Sequence, residues 1–133
     1  MSRILTAEEF VTLVLATIKL KADPNFVLEA AVIDRRFEAA YDWLSSREAG
    51  LNVTSNFTFR CDPLYGVTAT FRDALLSLRE RRLVQPDSSK RAYRISLSDE
   101  LAKEYIRHSA LAPQALDELV TEVFPGVAAS TPA

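Results

Sequence analysis

Residues 68–96, TATFRDALLSLRERRLVQPDSSKRAYRIS, decide how this chain is read. With Phe71 at zero on a helical wheel, Ala74, Leu75 and Leu78 fall within about 60° of it at ~3.6 residues per turn, which makes one buried face. Arg72 and Arg79 lie near one edge of the outer surface, and Asp73, Leu76, Ser77 and Glu80 complete it. Thr68 or Thr70 caps the start of this helix, which runs to about Arg82. Leu83-Val84 and Tyr93-Arg94-Ile95 then flank Gln85–Ala92 as a hairpin. Pro86 and Asp87 favour a turn there, one too long for a tight two-residue connection. The stretch is an amphipathic helix ending in a basic cluster, then a strand, a turn and a returning strand.

Outward from this stretch, helix signals dominate. Thr6-Ala7-Glu8-Glu9 is a capping box, followed by Phe10, Leu13, Val14 and Ile18 at helical spacing to about Leu20. Asp23-Pro24 pairs an N-cap residue with a proline in the first turn. The stripe Leu28, Ala31, Val32, Phe37, Ala40, Tyr41 and Leu44 predicts a second helix, stopped near Gly50 as a C-cap glycine. Trp43 sits beside that stripe, as rim packing or a partner contact. From Leu51 the period becomes two: Val53, Ser55, Phe57, Phe59 and Cys61 share one face of a half-buried strand. Asp62-Pro63-Leu64-Tyr65-Gly66 is a loop. Ser98-Asp99-Glu100 opens a helix with apolar Leu101, Ala102, Tyr105 and Ile106. Pro113 opens the last one, with Leu116, Leu119, Val120, Val123 and Phe124 on one side and Pro125-Gly126 at its end. No internal repeat occurs. Residues 1–126 are expected to form a single domain that includes the helix 113–124, and 127–133 a flexible tail.

The 133 residues are 48% apolar and 26% charged, a globular composition. No apolar run approaches the ~20 residues that span a bilayer, and Met1-Ser2-Arg3-Ile4-Leu5 has no secretory h-region, so no membrane association and a cytoplasmic location are expected. Cys61 is the sole cysteine, which excludes an intramolecular disulfide and a four-cysteine zinc site. Asn52-Val53-Thr54 and Asn56-Phe57-Thr58 are glycosylation sequons, read as ordinary strand residues.

Catalysis has little to work with. Cys61 is expected at the inward end of a strand and His108, the only histidine, at the end of a distant helix, so a nucleophile pair is not expected. Asp34 and Glu38, one turn apart beside Arg35 and Arg36, read as surface ion pairing. Gly50, Gly66 and Gly126 are too far apart to cradle a phosphate. No enzyme activity, cofactor or metal site is expected.

Charge is the functional signal. The net charge is −2, yet residues 60–94 carry eight basic and four acidic side chains, a local +4 against −6 elsewhere. Lys90 and Arg91 at the hairpin tip are candidates for backbone phosphates or a minor groove. Thr68, Thr70 and Arg72 at the helix start are candidates for a phosphate or base edge, with Arg79 on the same outer surface. Arg72 is the one long donor at that end suited to a bidentate contact with guanine. Asp73 and Glu80 oppose phosphate, and Leu76 is apolar where a groove-reading helix is usually polar. A charged helix that binds another protein is therefore the competing reading.

Leu75-Leu76-Ser77-Leu78-Arg79-Glu80-Arg81-Arg82-Leu83-Val84 and Tyr93-Arg94-Ile95-Ser96 resemble the winged helix-turn-helix superfamily. Phe57-Thr58-Phe59-Arg60 and Tyr65-Gly66-Val67-Thr68 are more weakly similar to Panacea-type antitoxin domains, where a strand and a Tyr-Gly loop precede the recognition-like helix. The resemblance covers roughly residues 53–100. About 20 residues separate the second helix from the third, where an ordinary helix-turn-helix has a turn of three or four. The implied fold is mainly α with a small β-sheet (α+β), a winged-helix domain with an additional strand before the recognition-like helix and a C-terminal helix. The implied function is a small bacterial-type transcriptional regulator that binds double-stranded DNA as a homodimer, its final helix being a candidate dimer surface. The alternative is an antitoxin-like component or adaptor that uses the same fold to hold a protein partner.

Overall fold

Helix α1 (Ala7–Lys21) is buried nearly all the way round: every residue from Phe10 to Ile18 is buried. That run, FVTLVLATI, contains no charge, and its two polar residues satisfy themselves. Thr12 donates to the Glu8 carbonyl at 2.7 Å and Thr17 to the Leu13 carbonyl at 2.8 Å. A helix apolar on all sides belongs at the centre of a fold, a signal that the four spaced residues Phe10, Leu13, Val14 and Ile18 understate. Thr6 caps α1 by accepting the Glu9 N–H at 3.2 Å, and its hydroxyl donates to the Glu9 carboxylate.

The computed structural model describes residues 3–22, 26–64 and 68–124. Helices α4 (Ala69–Glu80), α5 (Asp99–Arg107) and α6 (Pro113–Val123) pack around α1, and α2 (Ile33–Ser45) lies against α4 and α6. Buried apolar residues from Leu5 to Phe124 form one contiguous core. Its centre is aromatic: Phe37 stacks on Phe71 at 4.4 Å, and Phe57, Phe59, Phe10 and Tyr41 form a cluster beside them. Two small sheets complete the architecture. β1 (Arg3–Leu5) pairs in parallel with β3 (Val53–Ser55), which follows the one-turn helix α3 (Glu48–Leu51). β2 (Leu28–Glu29), β5 (Ala92–Ile95) and β4 (Val84–Asp87) form an antiparallel sheet in the order β2-β5-β4. Among the described residues this is an α+β protein with six helices, roughly half helical.

Several expected elements differ. Asp23 and Pro24, the expected start of the second helix, lie outside the described residues. Leu28 is not on a helix: it pairs with Tyr93, the Ala30 N–H reaches the Arg91 carbonyl at 2.9 Å, and α2 begins only at Ile33. This short strand covers what would otherwise be an open edge of β5, a long-range demand that outweighs local helical spacing. Gly50 lies inside α3 rather than at a C-cap, and the left-handed position that ends α3 is held by Asn52 (φ 59°), a residue that tolerates it. Only Val53–Ser55 of the expected strand is paired, although burial alternates onward through buried Phe57 and Phe59 and exposed Asn56, Thr58 and Arg60. Trp43 is buried, and its indole N–H donates to Glu122 on α6 at 2.6 Å, while the Arg47 guanidinium lies 4.3 Å over its ring.

Helix α6 answers the question left open for the final helix. Leu116, Leu119, Val120, Val123 and Phe124 are buried within the chain's own core, against α1 and α2. The face offered above as a dimer surface is used inside the monomer. Residues 125–133, with the expected tail, lie outside the described residues. No helix among the described residues is long and apolar enough to cross a membrane.

Candidate nucleic-acid interface

Helix α4 buries Phe71, Ala74, Leu75 and Leu78 on the face the wheel assigns and exposes Thr70, Asp73, Leu76, Arg79 and Glu80. It ends in a Schellman arrangement: the Leu83 N–H reaches the Leu78 carbonyl at 2.9 Å, and the Arg82 N–H reaches the Arg79 carbonyl at 3.0 Å. Leu78 and Leu83, the apolar pair that accompanies this motif, are both buried. The left-handed position belongs to Arg82 (φ 62°), where glycine is usual.

From Leu83 the chain enters β4, an edge strand. Pro86 therefore sits where no N–H is required of it, opposite Tyr93. The turn Ser88–Arg91 closes the hairpin. Its base is stiffened by Asp87, whose carboxylate accepts from the Ser89 hydroxyl at 2.6 Å and pairs with Arg94 at 3.3 Å. The hydrogen bond from Ser89, and then the Arg94 and Lys90 contacts, hold the Asp87 carboxyl below its ordinary range. Arg91 is again left-handed (φ 49°), and both Lys90 and Arg91 are exposed.

At the other end of α4 the expected base readers point elsewhere. Thr68 is 1% exposed, with its hydroxyl 3.5 Å from the Cys61 thiol, so it meets neither a phosphate nor a base edge. Its N–H donates at 2.7 Å to Asp34, a buried carboxylate in the first turn of α2. Arg72 also binds Asp34, through Nε at 3.2 Å and through Nη2, and donates from Nη1 to the Tyr93 hydroxyl at 3.2 Å. Burial works against the Arg72 charge, but the hydrogen bonds and proximity of Asp34 outweigh it and raise its pKa above the ordinary value. One guanidinium thus ties α2, α4 and β5 together, and its bidentate face is already occupied by a carboxylate. Asp34 is accordingly not a surface residue. Glu38, one turn on, accepts the Cys61 N–H at 2.9 Å, so the two carboxylates fasten both ends of the 61–68 segment instead of pairing with Arg35 and Arg36.

Of the eight basic side chains between residues 60 and 94, three besides Arg72 are also matched internally. Arg60 pairs with Asp42 at 2.6 Å, Arg81 with Glu8 at 2.6 Å, and Arg94 with Asp87. Arg79, Arg82, Lys90 and Arg91 are exposed and make no ion pair with the described residues. Two of these four, Lys90 and Arg91, stand at the hairpin tip, and two at the end of α4. Of the residues singled out from sequence, Thr70, Arg79, Lys90 and Arg91 remain on the surface. Arg82 was missed; its signal was the Leu78/Leu83 spacing that marks a helix end.

Cys61 and His108 have separate neighbours. The thiol contacts Thr68, and the imidazole Nε2 lies 3.4 Å from Glu104 on its own helix. Among the described residues no group of three or more His, Cys, Asp or Glu side chains is placed to hold a metal ion. Compared with protein-family models, curated proteins and solved structures, the chain gives no match.

Proposed function

We propose that the chain is a non-enzymatic winged-helix protein that binds double-stranded DNA, in the manner of a small bacterial-type transcriptional regulator, as a homodimer formed through a face other than the buried one of α6. The order α1-β2-α2-α4-β4-β5, with β2 completing the hairpin's sheet, supports the winged-helix reading. In this reading α3 and β3 are additions between the second helix and the recognition-like helix. The observation that carries the DNA reading is the four unmatched basic side chains, two of which hold left-handed backbone. An arginine at such a position strains the backbone by roughly 1–2 kcal/mol relative to glycine. Arg82 and Arg91 keep a charge at the end of α4 and at the hairpin tip despite that strain. Arg91 lies in register with Ser88, six residues beyond Arg82, so the two places are about 20 Å apart at ~3.3 Å per residue, close to six steps along a DNA strand.

Base discrimination then falls to Thr70, Asp73 and Leu76 on the exposed face of α4 rather than to Arg72. Leu76 is 51% exposed between Asp73 and Glu80, and this supports the second reading, an antitoxin-like component or adaptor that docks a protein on α4.

Salt separates the two. Four phosphate contacts give a slope of log affinity against log salt of about −3.6, and a dimer with eight about −7. Lys90→Ala with Arg91→Ala should weaken binding to all duplexes alike and reduce the slope by about 2 per protomer. Absence of binding to labelled duplex at low salt would sink the regulator reading and leave the protein-docking one.

A further inference from the structure

A cleft of about 580 Å³ opens between the first turns of α1, the end of α4 and the outer half of α5. Its volume suits a small organic ligand. Leu13 and Leu101 provide an apolar floor, and Leu101 is 38% exposed although it belongs to the apolar set of α5. Carboxylates dominate the rim: Glu8, Glu9 and Glu104, against the single guanidinium of Arg81 and the imidazole of His108. Arg81 shows how the cleft accommodates a cation. It donates to Glu8 at 2.6 Å and to the Tyr105 hydroxyl at 2.5 Å, with its guanidinium carbon 5.9 Å from the centre of the Tyr105 ring. Glu104 is engaged by Arg107 and His108 and Glu8 by Arg81, so Glu9, which accepts from the Thr6 hydroxyl, is the rim carboxylate with no ion pair among the described residues, and an incoming charge meets it and competes for Glu8.

We propose that this cleft binds an organic cation with an apolar aromatic body, an arylalkylammonium. Its ring lies over Leu13 and Leu101, and its ammonium is received by Glu8 and Glu9. The ammonium competes with Arg81 for Glu8. Arg81 is the C-cap of α4 and directly precedes Arg82, so its release adds a third unmatched basic side chain to the end of that helix, the fifth in all. This consequence rests on the DNA reading above: the ligand strengthens duplex binding, and duplex strengthens ligand binding by the same factor. One added phosphate contact puts that factor at the low end of measured couplings, about fivefold.

The probes are phenethylammonium and, as its anionic counterpart, 3-phenylpropionate, titrated into the full chain with methyl-labelled leucines. Phenethylammonium is expected to shift the Leu13 and Leu101 methyl signals saturably, with a dissociation constant of about 1 mM, and 3-phenylpropionate to bind at least tenfold more weakly. Equal binding of the two, or no saturation at roughly 10 mM phenethylammonium, overturns the site. This arm uses no DNA, so its outcome stands apart from the fate of the DNA reading. In the second arm Glu8→Gln, which frees Arg81 without ligand, should raise duplex affinity several-fold and abolish the effect of phenethylammonium on it. Saturable ligand binding with unchanged duplex affinity would overturn the coupling and keep the site.

Discussion

Arg72 illustrates how a surface-looking residue can belong to the interior. Its side chain is 36% exposed, yet its guanidinium donates three hydrogen bonds to Asp34 and Tyr93. Arg72→Ala leaves the Asp34 carboxylate buried, with the Thr68 N–H as its one remaining hydrogen-bond donor among the described residues. A loss of about 2–3 kcal/mol in unfolding free energy is expected, the partial exposure keeping it below the full cost of a broken buried pair. Urea denaturation measures it. A variant as stable as the parent would show the network to be ornamental. Arg72→Lys restores a charge but not the fork, and should recover only part of the loss. Position 82 behaves in the opposite sense. Arg82→Gly relieves the left-handed backbone and should stabilise the fold by about 0.5–1 kcal/mol. In the DNA reading the same variant binds duplex more weakly. Unchanged duplex affinity in a stabilised Arg82→Gly protein would remove this residue from the interface.

At the scale of elements, legibility followed the range of the interactions. Helix α4 was readable because Phe71, Ala74, Leu75 and Leu78 repeat within its own twelve residues. The caps at Thr6 and Ser98 were readable for the same reason: each hydroxyl accepts from an N–H three residues on. The start of α2 was not. Leu28 and Glu29 leave the helical pattern to pair with Tyr93 and Ala92, more than 60 residues away, and nothing near Leu28 announces that partner. The burial of Asp34 was hidden likewise, since the groups that compensate it arrive from residues 68 and 72. In the candidate interface the hairpin tip was legible as an exposed turn. The inward orientation of Thr68 and Arg72 was not, because a helical wheel places a residue on a face without showing which neighbour meets its edge. Asp87 and Arg94 pair across β4 and β5, and that too depended on a register the sequence does not spell out.

For the molecule as a whole, α6 is part of the core and not an appendage. Deleting residues 113–133 removes five large buried apolar side chains, Leu116, Leu119, Val120, Val123 and Phe124, from the core that α6 shares with α1 and α2. At roughly 2–5 kcal/mol for each large buried side chain removed, the loss exceeds the stability of an ordinary domain of this size. The expected outcome is a chain without a cooperative thermal transition, read by circular dichroism. A folded, monomeric truncation product would restore α6 to the role of a dimer surface. The charge pattern is also a property of the whole. The local excess of +4 between residues 60 and 94 is partly cancelled by Asp42, Asp34 and Glu8, which come from α2 and α1. What remains outward in that stretch is a few cations at two places, and in the DNA reading a salt-dependent, moderate affinity follows from that.

The tie made by Arg72 reaches beyond stability. Because one side chain grips both the first turns of α4 and the middle strand of the hairpin's sheet, the helix and the hairpin cannot rotate independently without breaking it. In the DNA reading, the two pieces that meet the duplex arrive already at a set mutual angle. The entropy of arranging them is then spent during folding and not at the moment of binding, so the same contacts hold duplex more tightly than they would on two loosely jointed parts.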